Sequence, residues 1–140
     1  MSGRVLHLNS LQAWESLSLE NEAQLVDVRT SAEWNFVGVP DLSSIGKEAK
    51  YISWVNYPEM DFNTNFHDEL DRSIGSKDAK LYFICRSGGR SLHAAESAVN
   101  KGYSKCINIE DGFEGEMNPS TMHRNEMNGW KYNNLPWRQS

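Results

Sequence analysis

The stretch that decides the fold is "KLYFICRSGGRSLHAAESAVNKG", Lys80 to Gly102. Leu81 to Cys85 is apolar at five successive positions, the pattern of a strand buried on both faces. Further on, Leu92, Ala95 and Val99 share one helical face, with His93, Glu96 and Asn100 opposite, and Gly102 stops the helix. Between strand and helix lies "CRSGGRS", Cys85 to Ser91. A buried strand that passes through a glycine turn into an amphipathic helix is half of a crossover unit, so the sheet is expected to be mostly parallel.

The flanking sequence repeats this alternation. "RVLHL" (Arg4 to Leu8) reads as a strand, and Asn9 or Ser10 can cap a helix through "LQAWESLSL". "AQLVDVR" (Ala23 to Arg29) is a second strand, with Ser31 placed to cap a short helix over "AEWNF". "YISWV" (Tyr51 to Val55) predicts a third strand. A helix over Asn65 to Ile74 ends at Gly75, and "KCINI" (Lys105 to Ile109) gives the fifth strand. The reading is α/β, a five-stranded mostly parallel sheet with helices on both faces, in one domain over residues 1–140. The polar stretches 41–50 and 114–129 are long enough to be functional loops around a site.

Composition narrows the function classes. A formal charge of −5 argues against broad binding to nucleic acid or an anionic membrane. No apolar run approaches a membrane span, and the first residues lack the apolar core of a signal peptide. Two cysteines, Cys85 and Cys106, are too few for a disulfide framework and fit a reducing compartment, so the expected location is cytoplasmic. His7, His67, His93 and His123 show no metal spacing, and neither metal nor other cofactor is expected. A monomer is the default for a small domain with no visible interface pattern.

The chemistry concentrates where the strand meets the helix. Open α/β sheets bind ligands beyond the carboxyl ends of their strands, which is where Cys85 falls. If "RSGGRS" wraps the sulfur, backbone N–H groups converge on it, Gly88 and Gly89 permit the turns, and the next helix adds its positive end. Such a nest favours a nucleophilic thiolate and a persulfide formed from it. Arg86 and Arg90 are suited either to an anionic substrate or to bracing the loop, and Ser87 and Ser91 to hydrogen bonds within it or to sulfur. A cysteine ending an apolar strand is also often plain packing, and Cys106, between apolar neighbours, is read that way. For Cys85, the combination with two arginines in a strand–turn–helix setting favours chemistry.

Cys-x4-Arg-Ser in this setting resembles the active-site loop of the rhodanese family of sulfurtransferases, in particular its bacterial single-domain members. "VDVRTSAEW" (Val26 to Trp34) is similar to the family segment Asp-x-Arg-x-x-x-Glu-aromatic, giving Asp27, Arg29, Glu33 and Trp34. "NIEDGFEG" (Asn108 to Gly115) is similar to the glycine-containing segment after the last parallel strand, and "NGWKYNNLPW" (Asn128 to Trp137) to the bacterial tail. One departure stands at "NFVGVPDL" (Asn35 to Leu42), where Phe36 or Val37 occupies the position of a usual histidine, while Gly38 and Pro40 persist.

The resemblance implies sulfur transfer through a Cys85 persulfide. The donor is thiosulfate or a similar small anion, and the acceptor cyanide or a thiol. Six residues from Cys85 to Arg90 go with sulfur transfer in these families, and seven with phosphate or arsenate. Sequence offers no general acid beside the loop. The alternatives are a relay or binding module that exchanges persulfide with a protein partner and, below that, a cysteine phosphatase or arsenate reductase. Arg86 is assigned to steering the donor and Arg90 to bracing the loop. Asp27, Arg29 and Glu33 are expected to support neighbouring loops through salt bridges rather than to react. Trp130, Tyr132 and Trp137 are expected to cover the core.

Overall fold

The computed structural model describes residues 4–139. In chain order the elements are β1 (Leu6–Leu8), α1 (Ser10–Leu19), β2 (Ala23–Asp27), α2 (Ser31–Phe36), β3 (Val39–Pro40) and a 3-10 turn (Ser43–Ile45). There follow β4 (Lys50–Tyr51), β5 (Val55–Asn56), β6 (Asp61–Phe62) and α3 (Phe66–Ile74). The chain then runs through β7 (Lys80–Ile84), α4 (Gly89–Asn100), β8 (Lys105–Ile109) and β9 (Trp137–Arg138). Five strands make one sheet in the order β1-β8-β7-β2-β4, with every pairing parallel.

Alternation along β7 builds both halves of the core. Leu81, Phe83 and Cys85 face Phe66 and Leu70 of α3 and Ala94, Ala95 and Ala98 of α4. Tyr82 and Ile84 face Ala13 and Leu17 of α1 and Trp130 near the C-terminus. Because both faces are covered, β7 needs apolar residues at every position, which explains its unbroken run. Asn9 caps α1 in a capping box: Gln12 N–H donates to its side chain at 2.8 Å, and Gln12 Oε1 accepts Asn9 N–H at 3.0 Å. Gly75 closes α3 at φ +81, donating its N–H to Asp71 O.

Four local expectations are corrected. Thr30, not Ser31, caps α2, because Thr30 completes a box with Glu33 and leaves Ser31 as the first helical residue. The strand over Tyr51 to Val55 is divided. Ile52 and Trp54 still donate to Asp27 O and Val28 O, but Val55 turns away to pair with Phe62 in a separate hairpin. Of the tail aromatics, Trp130 is buried in the core and Trp137 covers it, edge-on to buried Phe113 while pairing with Pro40 along β3, but Tyr132 stays exposed. The 41–50 stretch serves the wrong end of the sheet to border a site at Cys85. Its Lys47 donates to Leu17 O, Glu20 O and Ala23 O at 2.6–2.8 Å, closing the turn where β2 begins.

Asp111, 5% exposed, ties together three distant segments. Its carboxylate accepts Ser10 N–H and Ser10 Oγ–H at 2.8 Å each, and Gly129 N–H at 3.1 Å. It thus fixes the start of α1 and the return of the late loop to the turn after β8. Asp111→Ala strands these donors and is expected to cost about 3 kcal/mol, read as a lowered midpoint in urea unfolding.

Candidate active site

Cys85 stands one residue past β7, 1% exposed. The chain then turns sharply at Gly88, whose φ of +105° suits only glycine, and a Cβ there would lie 2.3 Å from Glu110 O. Gly89 does not share this burden. It is the first residue of α4, which begins three residues before the apolar face starts at Leu92, and a Cβ on it would meet nothing within 4 Å. The loop is clamped from the turn after β8, where Phe113 N–H donates to Cys85 O at 2.8 Å and Glu114 N–H to Arg86 O at 2.9 Å. Gly112, at φ +66°, allows that approach, since a Cβ there would sit 2.5 Å from Arg86 O.

Two groups meet the sulfur. Gly88 N–H donates to Cys85 Sγ at 3.1 Å, and Ser91 Oγ lies 3.2 Å from it. The several converging amides expected from the loop reduce to one, because the helix starts at Gly89 and the inward-facing N–H belongs to the left-handed residue before it. The amino end of α4 adds a positive dipole end to this position. Cys106 is different: it sits among apolar side chains in β8, and burial pushes its thiol up to about 12.

The two arginines divide their roles. Arg90 makes a bidentate pair with Glu33, Nη1 to Oε1 at 2.7 Å and Nη2 to Oε2 at 2.9 Å, joining α4 to α2. Glu33 Oε1 also accepts from Thr30 N–H and Thr30 Oγ1. Burial disfavours the Glu33 carboxylate, but the Arg90 and Thr30 bonds outweigh it and hold the group below the usual carboxylate range. Arg86 is exposed and lines a cleft of about 500 Å³ with Arg90, Glu33, Thr30 and Glu114. Arg29 does not join this pair. Arg29 turns inward instead, binding Asp27 Oδ2 at 2.8 Å and Gly38 O at 2.8 Å, with its guanidinium 4.3 Å over the Phe113 ring. Asp27 and Arg29 are both fully buried, and neither makes a hydrogen bond to the Cys85 loop.

The other wall of the cleft is apolar. Phe36 and Val37, in the place where histidine was looked for, line it together with Tyr57 and Met60 from the β5–β6 hairpin. Phe36 is 78% exposed. Sequence reading overlooked Glu114, which the 114–129 stretch contributes to the cleft, and Asn108, which accepts from Ser91 Oγ at 2.5 Å. A polar residue inside the otherwise apolar strand "KCINI" was the available signal for Asn108. Ser87 is half-buried in the loop, and His123 stays at the surface against Glu126.

Comparison with known proteins bears on the family and the fold. Residues 7–140 match the family described as STR4 middle domain. An uncharacterized protein of Rickettsia prowazekii is 42% identical over 135 residues, covering 96% of this chain and 98% of that protein. The crystal structure of Rv0390 from M. tuberculosis superposes with a TM-score of 0.89 at 45% identity, covering 99% of this chain and all of that one. Rhodanese-like domain-containing protein 4 of Arabidopsis thaliana chloroplasts is 31% identical over 128 residues, 89% of this chain and 24% of that protein.

Two substitutions test the scaffold. Gly88→Ala forces a Cβ against Glu110 O at an unfavourable φ and is expected to lower stability by at least about 2 kcal/mol, measured by thermal unfolding. Glu33→Gln is expected to cost about 1–3 kcal/mol at pH 7. Glu33 titrates lower folded than unfolded, so its stabilisation is complete above the unfolded value of about 4.3 and fades as pH falls through the folded one. The gap between wild type and variant should therefore close on acidification below pH 4, in unfolding curves taken across that range.

Proposed function

The chain belongs to the STR4 middle-domain family and carries a rhodanese-like fold, and on that premise we propose that it is a sulfurtransferase working through a persulfide on Cys85. The observation that carries this reading is the cradle itself: a cysteine at the carboxyl end of the central strand, facing a backbone N–H and the amino end of α4, and opening a six-residue loop that ends on Arg90. The Cys85 thiolate attacks the outer sulfur of a donor such as thiosulfate. The donor S–S bond breaks, sulfite leaves with the electron pair, and Cys85 keeps the sulfur. A nucleophilic acceptor, cyanide or a thiol, then bonds to that outer sulfur, and Cys85 departs as the thiolate. Arg86, exposed at the mouth and without an ion pair among the described residues, draws the anionic donor in, while Arg90, held by Glu33, keeps the loop in shape.

The nearly closed cradle supports sulfur over phosphate, because adding one sulfur atom needs less room than a tetrahedral phosphoryl group. Glu114 in the cleft is the carboxylate a phosphatase would need as general acid, so that alternative calls for its own assay. The exposed apolar rim of Phe36, Tyr57 and Met60 favours a second reading, exchange of persulfide with a protein partner that covers the rim.

Intact mass after incubation of the reduced protein with thiosulfate is expected to rise by one sulfur atom, which cyanide removes as thiocyanate. Cys85→Ser should abolish both. Loading that fails with thiosulfate but succeeds from a persulfidated protein donor would select the relay. Hydrolysis of an aryl phosphate that depends on Cys85 would overturn sulfur transfer.

A further inference from the structure

Asn108 is a buried polar residue that the proposed reaction does not use. It interrupts the apolar β8 opposite Phe83, is 3% exposed, and lies behind the cradle. The orientation of its amide is fixed by what it touches. Nδ2 is 3.2 Å from Gly88 O, a carbonyl that can only accept, and 3.4 Å from His7 Nδ1. Oδ1 therefore faces Ser91 Oγ, at 2.5 Å, and the single hydroxyl hydrogen of Ser91 goes to Asn108.

This leaves Ser91 with a lone pair, not a hydrogen, toward Cys85 Sγ at 3.2 Å. A protonated Cys85 satisfies it by donating S–H to Ser91 Oγ. A bare thiolate does not: it meets a lone pair, and drawing the Ser91 hydrogen over would leave Asn108 Oδ1 buried without a donor. A persulfide avoids the conflict. Its inner sulfur carries neither proton nor charge, so Ser91 can remain on Asn108 while the outer sulfur bears the charge. We infer that Asn108 is a positioning residue: by claiming the Ser91 hydrogen, it favours the thiol and persulfide forms of Cys85 over the free thiolate. The persulfide half rests on the sulfurtransferase reading, and the thiol half stands without it. When an acceptor bonds to the outer sulfur, the S–S bond breaks and its electron pair stays on Cys85, so Asn108 slows discharge and prolongs the loaded state.

The charged groups on the sulfur's own loop and on the neighbouring elements are Arg90 of α4 with its partner Glu33 of α2, Arg86 in the loop, the Asp27–Arg29 pair at and just beyond the end of β2, and His7 of β1, which meets Asn108. Substitution at Asn108 removes none of them. Thiolate absorbance is followed against pH in wild type, Asn108→Ala, Ser91→Ala and the double variant, with Cys85→Ser as blank. The midpoint of Asn108→Ala is expected to fall by about one pH unit, and the fall to vanish when Ser91 is also replaced. Asn108→Val, suited to a central strand, should give the same fall and serves if the alanine variant does not fold by circular dichroism. An unchanged or raised midpoint, or a fall that persists without the Ser91 hydroxyl, overturns the inference. Protein preloaded with thiosulfate is also mixed with a small thiol, and Asn108→Ala is expected to discharge about tenfold faster, the rate equivalent of that shift. A coupled midpoint shift without any persulfide in the wild type would sink the proposed reaction and leave the role of Asn108 standing. Normal loading with no midpoint shift would do the reverse.

Discussion

The site depends on the parallel pairing of β7 with β2 on one side and β8 on the other. Parallel strands end together, so Asp27, Cys85 and Asn108 reach the same edge of the sheet although they are far apart in sequence. Alternation then sorts their side chains by face. Cys85 points to the side covered by α3 and α4, and the turn after β8 clamps the loop that follows it. An antiparallel neighbour would bring a strand start to that edge and leave no helix amino end above the sulfur.

Bringing polar groups to a buried edge carries a desolvation cost, and the structure meets it with local partners. Asp27 and Arg29 are fully buried and neutralise each other, with Gly38 O taking a further guanidinium hydrogen. Such a pair is weak evidence of net stabilisation, because the cost of removing both charges from water is comparable to their attraction. Its value is geometric, since it fixes the end of β2 against the entry to β3. Arg90 and Glu33 do the same between two helices in a partly wet setting, where less desolvation is paid. Arg86, exposed on the same cleft, makes no ion pair with the described residues.

Rigidity and exposure are divided around the cleft. The loop side is held by backbone bonds to residues 113–115, by the Gly88 turn and by the Arg90 pair. The opposite side offers Phe36, Tyr57 and Met60 to solvent from a short helix and a small hairpin. With a fixed loop beside an exposed apolar rim, rim residues can change without disturbing the sulfur's neighbours.

The sequence alone determined the strand–loop–helix unit at Cys85, the α/β class and the parallel sheet, because glycine punctuation and uninterrupted apolar runs are local consequences of burial. The family resemblance also singled out Asp27, Arg29 and Glu33 as supports for neighbouring loops, and Arg90 as a brace for its own loop. Only the tertiary structure decided who pairs with whom. Arg29 and Arg90 are alike as letters, yet one is fully buried beside Asp27 and the other reaches Glu33 across 57 positions of chain. Likewise, Asn108 and Glu114 acquire meaning only when β8 lies beside β7 and the following turn folds under the loop. A hydrogen bond requires two groups within about 3 Å in a fixed orientation, and sequence distance carries no such information.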